Sequence, residues 1–284
     1  MALYVVATPI GNLGDITARA RTVLAGCDGV IAEDTRYSGQ LMQFLGLKKP
    51  FHSLPAFDEA ARVEPLIQRL AAGESLALVT DAGTPAISDP GALLVRSAIE
   101  AGIAVIPIPG PSAVVAAVSV SGFLEGRFHF AGFLPRKAAH RAEMLSEISS
   151  LRAQLVFYES PQRVHETLLD LRRALGDRTA LVARELTKLH EELLRGTLSE
   201  LAERFAAGAR GEIVIVVAGA SVEALPEDPA VLEREVRERL ARGERPKEIA
   251  EAVIGSRGGS HGASGGSRLG KREVYQLALR LKDE

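Results

Sequence analysis

Four short segments rich in Gly, Pro and small polar residues are the part of this sequence best suited to chemistry. They lie at residues 8–12, 33–36, 80–91 and 109–113, and each follows a run of Val, Ile, Leu or Ala. Gly and Pro let a loop backbone approach a ligand closely and resist collapse. Backbone amides and carbonyls in such loops can bind a small ligand without a large cluster of charged side chains. The segments indicate a ligand site, although Gly and Pro also mark ordinary turns.

The apolar runs before these segments predict the strands that must position them. The runs at 3–8, 29–32, 76–80 and 104–108 alternate with helical patterns, which is typical of parallel strands covered on both faces. Ligands bind at the carboxyl edge of an open parallel sheet, and all four segments follow strands. The stretch 81–91 is also too long for a plain connector. These observations predict a ligand-binding α/β enzyme.

The rhythm of strands and helices breaks near residues 121–123, which predicts a domain boundary. We expect an N-terminal α/β lobe at 1–121, a second α/β lobe with a mixed sheet at 122–220, and a helical C-terminal module at 221–284. The Gly/Ser-rich insert 255–270 should be flexible because it cannot bury enough apolar surface to become ordered. The expected strands of the second lobe and helices of the module lie near 129–132, 155–158, 179–184, 191–195 and 212–218, and at 229–241, 246–254 and 271–282.

The composition is that of a globular protein, with 284 residues, 46% hydrophobic and 25% charged. No apolar run approaches the ~18–20 residues of a membrane span, and no signal peptide is expected because a charged n-region is missing. A net charge of −2 argues mildly against RNA binding. Residues 234–284, however, carry 12 Lys and Arg against 8 Asp and Glu. A solvated helical surface explains that distribution equally well.

Several residue types argue against other functions. Cys27 is the only cysteine, so an internal disulfide is excluded, a cytosolic location is expected, and Cys27 is interpreted as a small core residue. The six His residues are scattered, so no metal site is expected. The matches to G-x-S-x-G at 262–266 and to part of a P-loop at 265–271 follow no strand. They are interpreted as a result of the Gly/Ser composition.

Seven motifs over residues 3–220 resemble a known family. In chain order they are ATPIGNLGDIT, AEDTR, VTDAGTPAISDPG, PIPGPSA, GFLPRK, FYESPQR and ARELTK. Together they resemble the ribosomal RNA small-subunit methyltransferase I family of the tetrapyrrole methylase superfamily. The resemblance implies two α/β lobes of the class III methyltransferase type. It also implies S-adenosylmethionine-dependent 2′-O-methylation of a cytidine in the decoding region of 16S ribosomal RNA.

The resemblance further implies the partners and the cofactor site. The expected protein is a cytoplasmic homodimer that acts on 16S ribosomal RNA or the small ribosomal subunit, without a metal, a membrane or DNA. Residues of both lobes are expected to contact S-adenosylmethionine. They are Pro9, Asp81, Ala82, Gly83, Thr84, Ile87, Ser112 and Ala113 from the first lobe, and Tyr158, Glu159, Ser160 and Leu186 from the second.

A ribose hydroxyl is a weak nucleophile, so a general base would help the implied reaction. Glu33 and Asp34 lie where a relative of the superfamily places an acidic residue beside its substrate. Either residue could instead cap the helix that follows. Lys188 is a third catalytic candidate, because it could hold a phosphate or orient the base. Ordinary surface ion pairing would also explain it.

Four basic residues are candidates for RNA contact. Arg36 and Arg184 could hold phosphate, although surface ion pairs are an equally good explanation. Arg136 and Lys137 of the GFLPRK motif are better candidates for the RNA backbone, because nearby Gly and Pro predict a loop that presents them.

Two other functions stay open. One is a methyltransferase for a small, tetrapyrrole-like molecule on the same scaffold. The other is a ribosome-assembly protein that binds RNA without catalysis. Since the 2′-hydroxyl distinguishes RNA from DNA, a substrate with deoxyribose at the target nucleotide should bind without being methylated.

Overall fold

The computed structural model describes residues 1–220, 229–256 and 271–283. The chain divides into two compact units, Met1–Gly219 and Ala220–Glu284. The first unit holds two β-sheets with their helices, and the second is helical.

The first sheet contains five parallel strands in the order β3-β2-β4-β1-β5. Their bounds are β1 Ala2–Val6, β2 Gly29–Ala32, β3 Phe51–Ser53, β4 Ser75–Leu78 and β5 Val105–Ile108. Helices α1 Ala18–Gly26, α2 Thr35–Phe44, α3 Glu59–Ala71 and α4 Ala92–Glu100 alternate with them. Two apolar clusters, one around Leu3 and Leu76 and one around Val6 and Val30, form the core of this part. The parallel sheet expected from the apolar runs is confirmed.

Strand β3 is a correction to the sequence-based prediction, which placed only four strands here. It has three residues and pairs with β2 alone at the edge of the sheet. Two of those residues are His52 and Ser53, so the segment lacks the apolar run that identifies buried strands.

The second sheet is mixed, as expected, with the order β6-β7-β10-β8-β9. Its strands are β6 Phe128–Phe133, β7 Gln154–Glu159, β8 Thr179–Arg184, β9 Glu192–Thr197 and β10 Ile213–Val217. Only β6 and β7 pair in parallel, and the other neighbours are antiparallel. Helices α6 Ala138–Ile148, α7 Val164–Leu175 and α8 Leu198–Arg204 contribute to a core with Phe157 and Ile215.

Helix α5, Ala113–Ser119, connects the two sheets. It follows β5 of the first sheet, yet Val114 and Ala117 pack against Val156 and Val214 of the second sheet. The beginning of α5 therefore brings the last loop of the first sheet to the second sheet. The lobe boundary at residue 121 stays a prediction.

The second unit contains helices α9 Pro229–Ala241, α10 Pro246–Ser256 and α11 Lys271–Asp283. Val236, Ile249 and Val274 belong to its own apolar core. Of the insert expected at 255–270, residues 255 and 256 end α10, and residues 257–270 lie outside the described part. No helix in the described part of either unit is long and apolar enough to span a membrane.

Candidate active site

Three loops meet at the carboxyl edge of the first sheet, where β4, β1 and β5 are neighbours. The Thr8 amide donates to the Gly83 carbonyl at 2.8 Å, and the Gly83 amide donates back at 3.1 Å. The Thr8 hydroxyl donates to the Thr80 carbonyl at 3.1 Å. The Thr84 hydroxyl donates to the Pro111 carbonyl at 3.3 Å. Three of the four loops expected at this edge are therefore connected by hydrogen bonds.

The long loop after β4 has the unusual backbone that its composition suggested. Gly83 has a φ of 86°, and a Cβ atom there would lie 3.3 Å from the Ile10 side chain. Ala86 has a φ of 63°, a conformation that costs a non-Gly residue of order 1 kcal/mol or more. Such conformations persist where surrounding structure enforces them, and they cluster at ligand sites.

The cofactor candidates of the first sheet differ in exposure. Pro9 and Gly83 are buried, and Ile87 is 56% exposed. The others are half-buried, namely Asp81, Ala82, Thr84, Ser112 and Ala113.

Four carboxylates lie close enough at this edge to affect one another. Burial, then the charges of Asp89, Asp81 and Asp34, raises the pKa of Glu33. Burial and the charge of Asp34 also raise the pKa of Asp81, against a backbone hydrogen bond from Asp34. The Oδ1 atom of Asp81 is buried and has no hydrogen-bond partner in the described residues. An unpaired buried acceptor of this kind suits a hydroxyl or amino group of a ligand.

Asp34 has a structural role that Glu33 lacks. It is the N-cap of α2 and accepts the Arg36 amide at 2.9 Å. The Arg36 guanidinium lies 2.7 Å from its other oxygen. Hydrogen bonds from the Arg36 side chain and backbone lower the pKa of Asp34 to about 2. The lowered pKa makes Asp34 the weaker base of the two acidic candidates.

Tyr158 of β7 brings the second sheet close to the carboxyl edge of the first sheet. Burial, then the negative charge of Asp89, raises the pKa of Tyr158 to about 12, against a backbone hydrogen bond from Val114. Phe130 and Phe133 contact its ring edge to face, with centroids 4.9 and 5.6 Å away. Tyr158 is therefore held near the long loop and the start of α5.

Glu159 and Ser160 are arranged differently from Tyr158. The Glu159 side chain is fully buried. Its carboxylate accepts the Thr167 hydroxyl at 2.5 Å and the Ser160 amide at 2.7 Å. Glu159 thus fixes the backbone at half-buried Ser160, and its own oxygens are occupied within the protein.

The loop after β8 carries Leu186 and Lys188. Glu185 and Thr187 both have positive φ values, 51° and 67°. Leu186 packs with Tyr158 in the apolar cluster around α5. The Oγ1 atom of Thr187 is buried without a partner in the described residues. The strained loop therefore presents another unpaired polar atom near the first sheet.

Lys188 forms ion pairs with two acidic residues. Its ammonium lies 2.8 Å from Glu185 and 3.1 Å from Glu212. Burial lowers the pKa of Lys188, but those hydrogen bonds outweigh it and the net pKa is raised. A Cβ atom on Gly11 would lie 2.5 Å from the Lys188 Cγ, so this loop touches the first loop of the other sheet. Lys188 therefore forms the ion pairs that were the alternative to holding a phosphate or orienting the base.

The four RNA candidates fall into two groups. The side chain of Arg36 is 90% exposed and pairs with Asp34. Arg184 is mostly buried and donates to Glu192 at 2.9 Å and to the Arg210 carbonyl at 3.1 Å. Arg136 and Lys137 are exposed in the loop between β6 and α6, and neither forms an ion pair within residues 1–220, 229–256 and 271–283.

A concavity of about 490 Å³ lies beside this site and not on it. Residues 184–185, 189–192 and 210–211 line it, and none belongs to the three converging loops. Within it, Arg184 and Glu192 are paired with each other. Within the described ranges, no three His, Cys, Asp or Glu residues are grouped as metal ligands.

The comparisons with known proteins identify the family. The model of the Tetrapyrrole (Corrin/Porphyrin) Methylases matches residues 2–202. Ribosomal RNA small subunit methyltransferase I of Xylella fastidiosa is 50% identical over 223 residues, covering 77% of this chain and 82% of that protein. The Synechocystis protein of the same name is 41% identical over 291 residues, covering 99% and 98% of the two chains. The chain belongs to the ribosomal RNA small subunit methyltransferase I family.

A solved structure supports the fold expected of this methyltransferase I family. The crystal structure of the methyltransferase CobJ aligns with a TM-score of 0.60 at 19% identity, covering 77% of this chain and 94% of that one. The family resemblance and the class III arrangement of two α/β sheets are confirmed.

Sequence reasoning missed two aromatic neighbours of Tyr158 at the candidate site. Phe130 and Phe133 are three residues apart and would point to opposite faces of a regular strand. The pairing of β6 with β7 shifts register between Phe130 and Gly132, and both rings contact Tyr158. The sequence also gave no reason to single out Asp89, which accepts the Thr80 hydroxyl at 2.6 Å. The only indication that Asp89 belongs to the site was its position in the long loop.

Proposed function

We propose that this protein transfers the methyl group of S-adenosylmethionine to the 2′-hydroxyl of a cytidine in the decoding region of 16S ribosomal RNA. The observation that carries the proposal is the similarity to proteins named ribosomal RNA small subunit methyltransferase I along 99% of the chain. The cytidine and its 2′-oxygen follow from the motif resemblance. We also propose a cytoplasmic homodimer, and sedimentation velocity would check the dimer.

The residues at the converging loops fit S-adenosylmethionine. The positive φ of 86° at Gly83 lets the long loop turn close to Asp81. The unpaired Oδ1 of Asp81 could accept a hydrogen bond from a hydroxyl or amino group of the cofactor. The remaining contacts would come from Pro9, Ala82, Thr84, Ile87, Ser112 and Ala113, with Tyr158, Ser160 and Leu186 on the second sheet.

S-adenosylmethionine would supply a methyl group that is already activated on a sulfonium. The protein then has to position the ribose hydroxyl and receive its proton. Glu33 is the proposed acceptor, because its raised pKa makes its carboxylate a stronger base than an ordinary Glu. Arg136 and Lys137 would hold phosphates of the RNA backbone. Exposed Phe133 beside them offers a ring on which an unpaired base can stack.

A labelling experiment tests the proposal. Purified protein is incubated with methyl-labelled S-adenosylmethionine and small ribosomal subunits, and the RNA is digested to nucleosides for mass spectrometry. We expect label in 2′-O-methylcytidine. A matched RNA with deoxyribose at the labelled position should bind without gaining label, because the accepting oxygen is missing.

The other outcomes separate the alternatives. Label on a tetrapyrrole but not on RNA would favour the small-molecule methyltransferase. RNA binding with no methyl transfer would favour the assembly protein. A calorimetric titration that detects no affinity for S-adenosylmethionine or its demethylated product, with or without RNA, would exclude both enzymatic functions.

A further inference from the structure

Two arginine side chains donate hydrogen bonds to the loop that carries the exposed Arg136 and Lys137. Nη1 of Arg141 donates to the carbonyls of Pro135 and Arg136, each at 3.1 Å. Nη2 of Arg163 donates to the Leu134 carbonyl at 3.1 Å. Three successive carbonyls, from the end of β6 to the start of α6, are thus bound by guanidinium groups.

The first of these arginines is itself held rigidly. The side chain of Arg141 is only 8% exposed. Its Nε lies 2.5 Å from Asp170, and its Nη2 lies 2.9 Å from Glu166. Both carboxylates belong to α7, so Arg141 connects α6, α7 and the loop. A planar guanidinium can make all these hydrogen bonds at once, and a lysine ammonium cannot reproduce their geometry.

The second arginine connects the loop to the segment proposed to contact the cofactor. Nη1 of Arg163 lies 3.6 Å from the buried carboxylate of Glu159. That carboxylate also accepts the Ser160 amide at 2.7 Å. One side chain, Arg163, therefore joins the backbone at Leu134 to the carboxylate that fixes Ser160.

We infer that Arg141 and Arg163 are positioning residues for the RNA substrate. They hold residues 134–137 in one conformation, so that the side chains of Arg136 and Lys137 meet the phosphate backbone without first becoming ordered. Arg141 does not touch RNA, and its own charge is neutralised by Asp170 and Glu166. The RNA role rests on the proposed function, whereas the fixed loop rests only on the contacts described.

The variant Arg141→Lys keeps the charge and removes the forked hydrogen bonds. We expect the KM for small ribosomal subunits to rise about tenfold, because a loop that is no longer held in place must become ordered when RNA binds. The kcat and the Kd for S-adenosylmethionine should stay within about twofold, because uniform substrate binding is lost and the chemical step is not.

Arg173→Met is the matched control. Arg173 lies 2.6 Å from the other oxygen of the same Asp170, but its side chain is 77% exposed and makes no described contact with residues 134–137. The control should leave the KM unchanged. An equal rise in both variants would overturn the inference, because it would trace the effect to Asp170 and α7.

A double-mutant cycle distinguishes positioning from a general structural effect. In a chain with Arg136→Ala and Lys137→Ala, the further change Arg141→Lys should raise the KM no more, because the side chains that it positions are gone. A further tenfold rise in that background would overturn the inference.

Limited trypsin digestion without RNA tests the loop alone. Trypsin cuts after Arg and Lys, and a loop fixed in one conformation is cut slowly. Cleavage after Arg136 or Lys137 should be about tenfold faster in Arg141→Lys than in the wild type or Arg173→Met. Arg163→Lys is the second variant if Arg141→Lys fails to fold, and it should have the same effect.

Unchanged cleavage in both folded variants would overturn the fixed loop. Wild-type protein that neither binds nor methylates small subunits would overturn the proposed function, and the RNA role with it. The two failures are distinguishable because the trypsin rates are measured without any substrate.

Discussion

Adjacent carboxylates at the end of one strand have opposite electrostatic surroundings. Glu33 is partly buried among three acidic residues, and Asp34 is surrounded by hydrogen-bond donors at the start of α2. Desolvation and like charges favour the protonated carboxyl group, whereas donors favour the carboxylate. Two neighbouring carboxyl groups of one motif therefore have pKa values shifted in opposite directions, and Glu33 is the one proposed to receive the proton.

Glu33→Gln should lower the rate of methyl transfer at least about 100-fold, the usual contribution of a general base. In the wild type, the rate should fall as the pH drops through the pKa of Glu33, which lies above the ordinary 4.5 because of burial and Asp89. Single-turnover rates across pH would measure both effects. Asp34→Asn is the control and should stay active, because Asn also caps helices well. A fully active Glu33→Gln would contradict the assignment.

The stability of the same variants provides a second check. A raised pKa means that the folded protein holds the Glu33 proton more tightly than the unfolded chain does. Ionised Glu33 therefore destabilises the folded state fully above that pKa, and the penalty shrinks as the pH falls from there to the ordinary value of 4.5. Glu33→Gln should unfold at a higher temperature than the wild type at pH 7, and the difference should vanish below pH 4.5. A lower unfolding temperature of Glu33→Gln than of the wild type at pH 7 would contradict the raised pKa of Glu33.

At the scale of elements, the sequence predicted most strands and helices because their apolar patterns are long and local. The strands at 29–32 and 179–184 have the predicted bounds. Contacts between distant elements were not predictable in the same way. Nothing in the pattern of 113–119 indicates that α5 packs on the second sheet, since its apolar residues suit either sheet.

For the candidate site, too, the local features were predictable and the contacts between distant residues were not. Gly and Pro marked the loops, and strand order then placed them on one edge. The cap formed by Asp34 was one of the two alternatives that the sequence offered. The bonds of Glu159 to Thr167 and of Lys188 to Glu212 were hidden, because they depend on how separate elements pack. The hydrogen bonds of Thr8 were hidden as well, although they connect the first loop with the long loop.

Thr8→Val tests that connection between loops. The Thr8 hydroxyl is buried and lies 3.1 Å from the Thr80 carbonyl and 3.3 Å from the Gly83 carbonyl. Valine keeps the shape but leaves buried carbonyls with fewer donors, which should cost about 1–3 kcal/mol of unfolding free energy. The Kd for S-adenosylmethionine should rise, because the long loop loses an anchor. Urea denaturation and calorimetric titration would measure the two effects.

Thr22→Val is the matched control. Thr22 is an exposed residue of α1, and its hydroxyl donates to the Ala18 carbonyl of the same helix and not to a converging loop. That variant should change stability by less than about 0.5 kcal/mol and leave cofactor affinity unchanged. Equal effects of the two substitutions would contradict a special role for Thr8.

At the scale of the molecule, the proposed cofactor contacts and the basic C-terminal stretch lie in different compact units. All the proposed cofactor contacts lie within Met1–Gly219, whereas the local excess of basic residues at 234–284 lies in the other unit. Each unit has its own apolar core. The net charge of −2 therefore says little about nucleic-acid binding, because affinity depends on the local density of cations.

Ending the chain after Ala220 should leave a folded protein that binds S-adenosylmethionine with unchanged affinity, because the first unit keeps its sheets and loops. Its affinity for small ribosomal subunits should fall at least about tenfold, and the dependence on salt should become less steep, since fewer phosphates are neutralised.

The full-length variant with Arg280→Gln and Lys282→Gln keeps the helical unit and loses two exposed cations. The slope of its salt dependence should therefore lie between those of the wild type and the truncated protein. Filter-binding titrations at several salt concentrations would measure these slopes. A truncated protein with full RNA affinity and an unchanged slope would place all RNA contacts in the first unit.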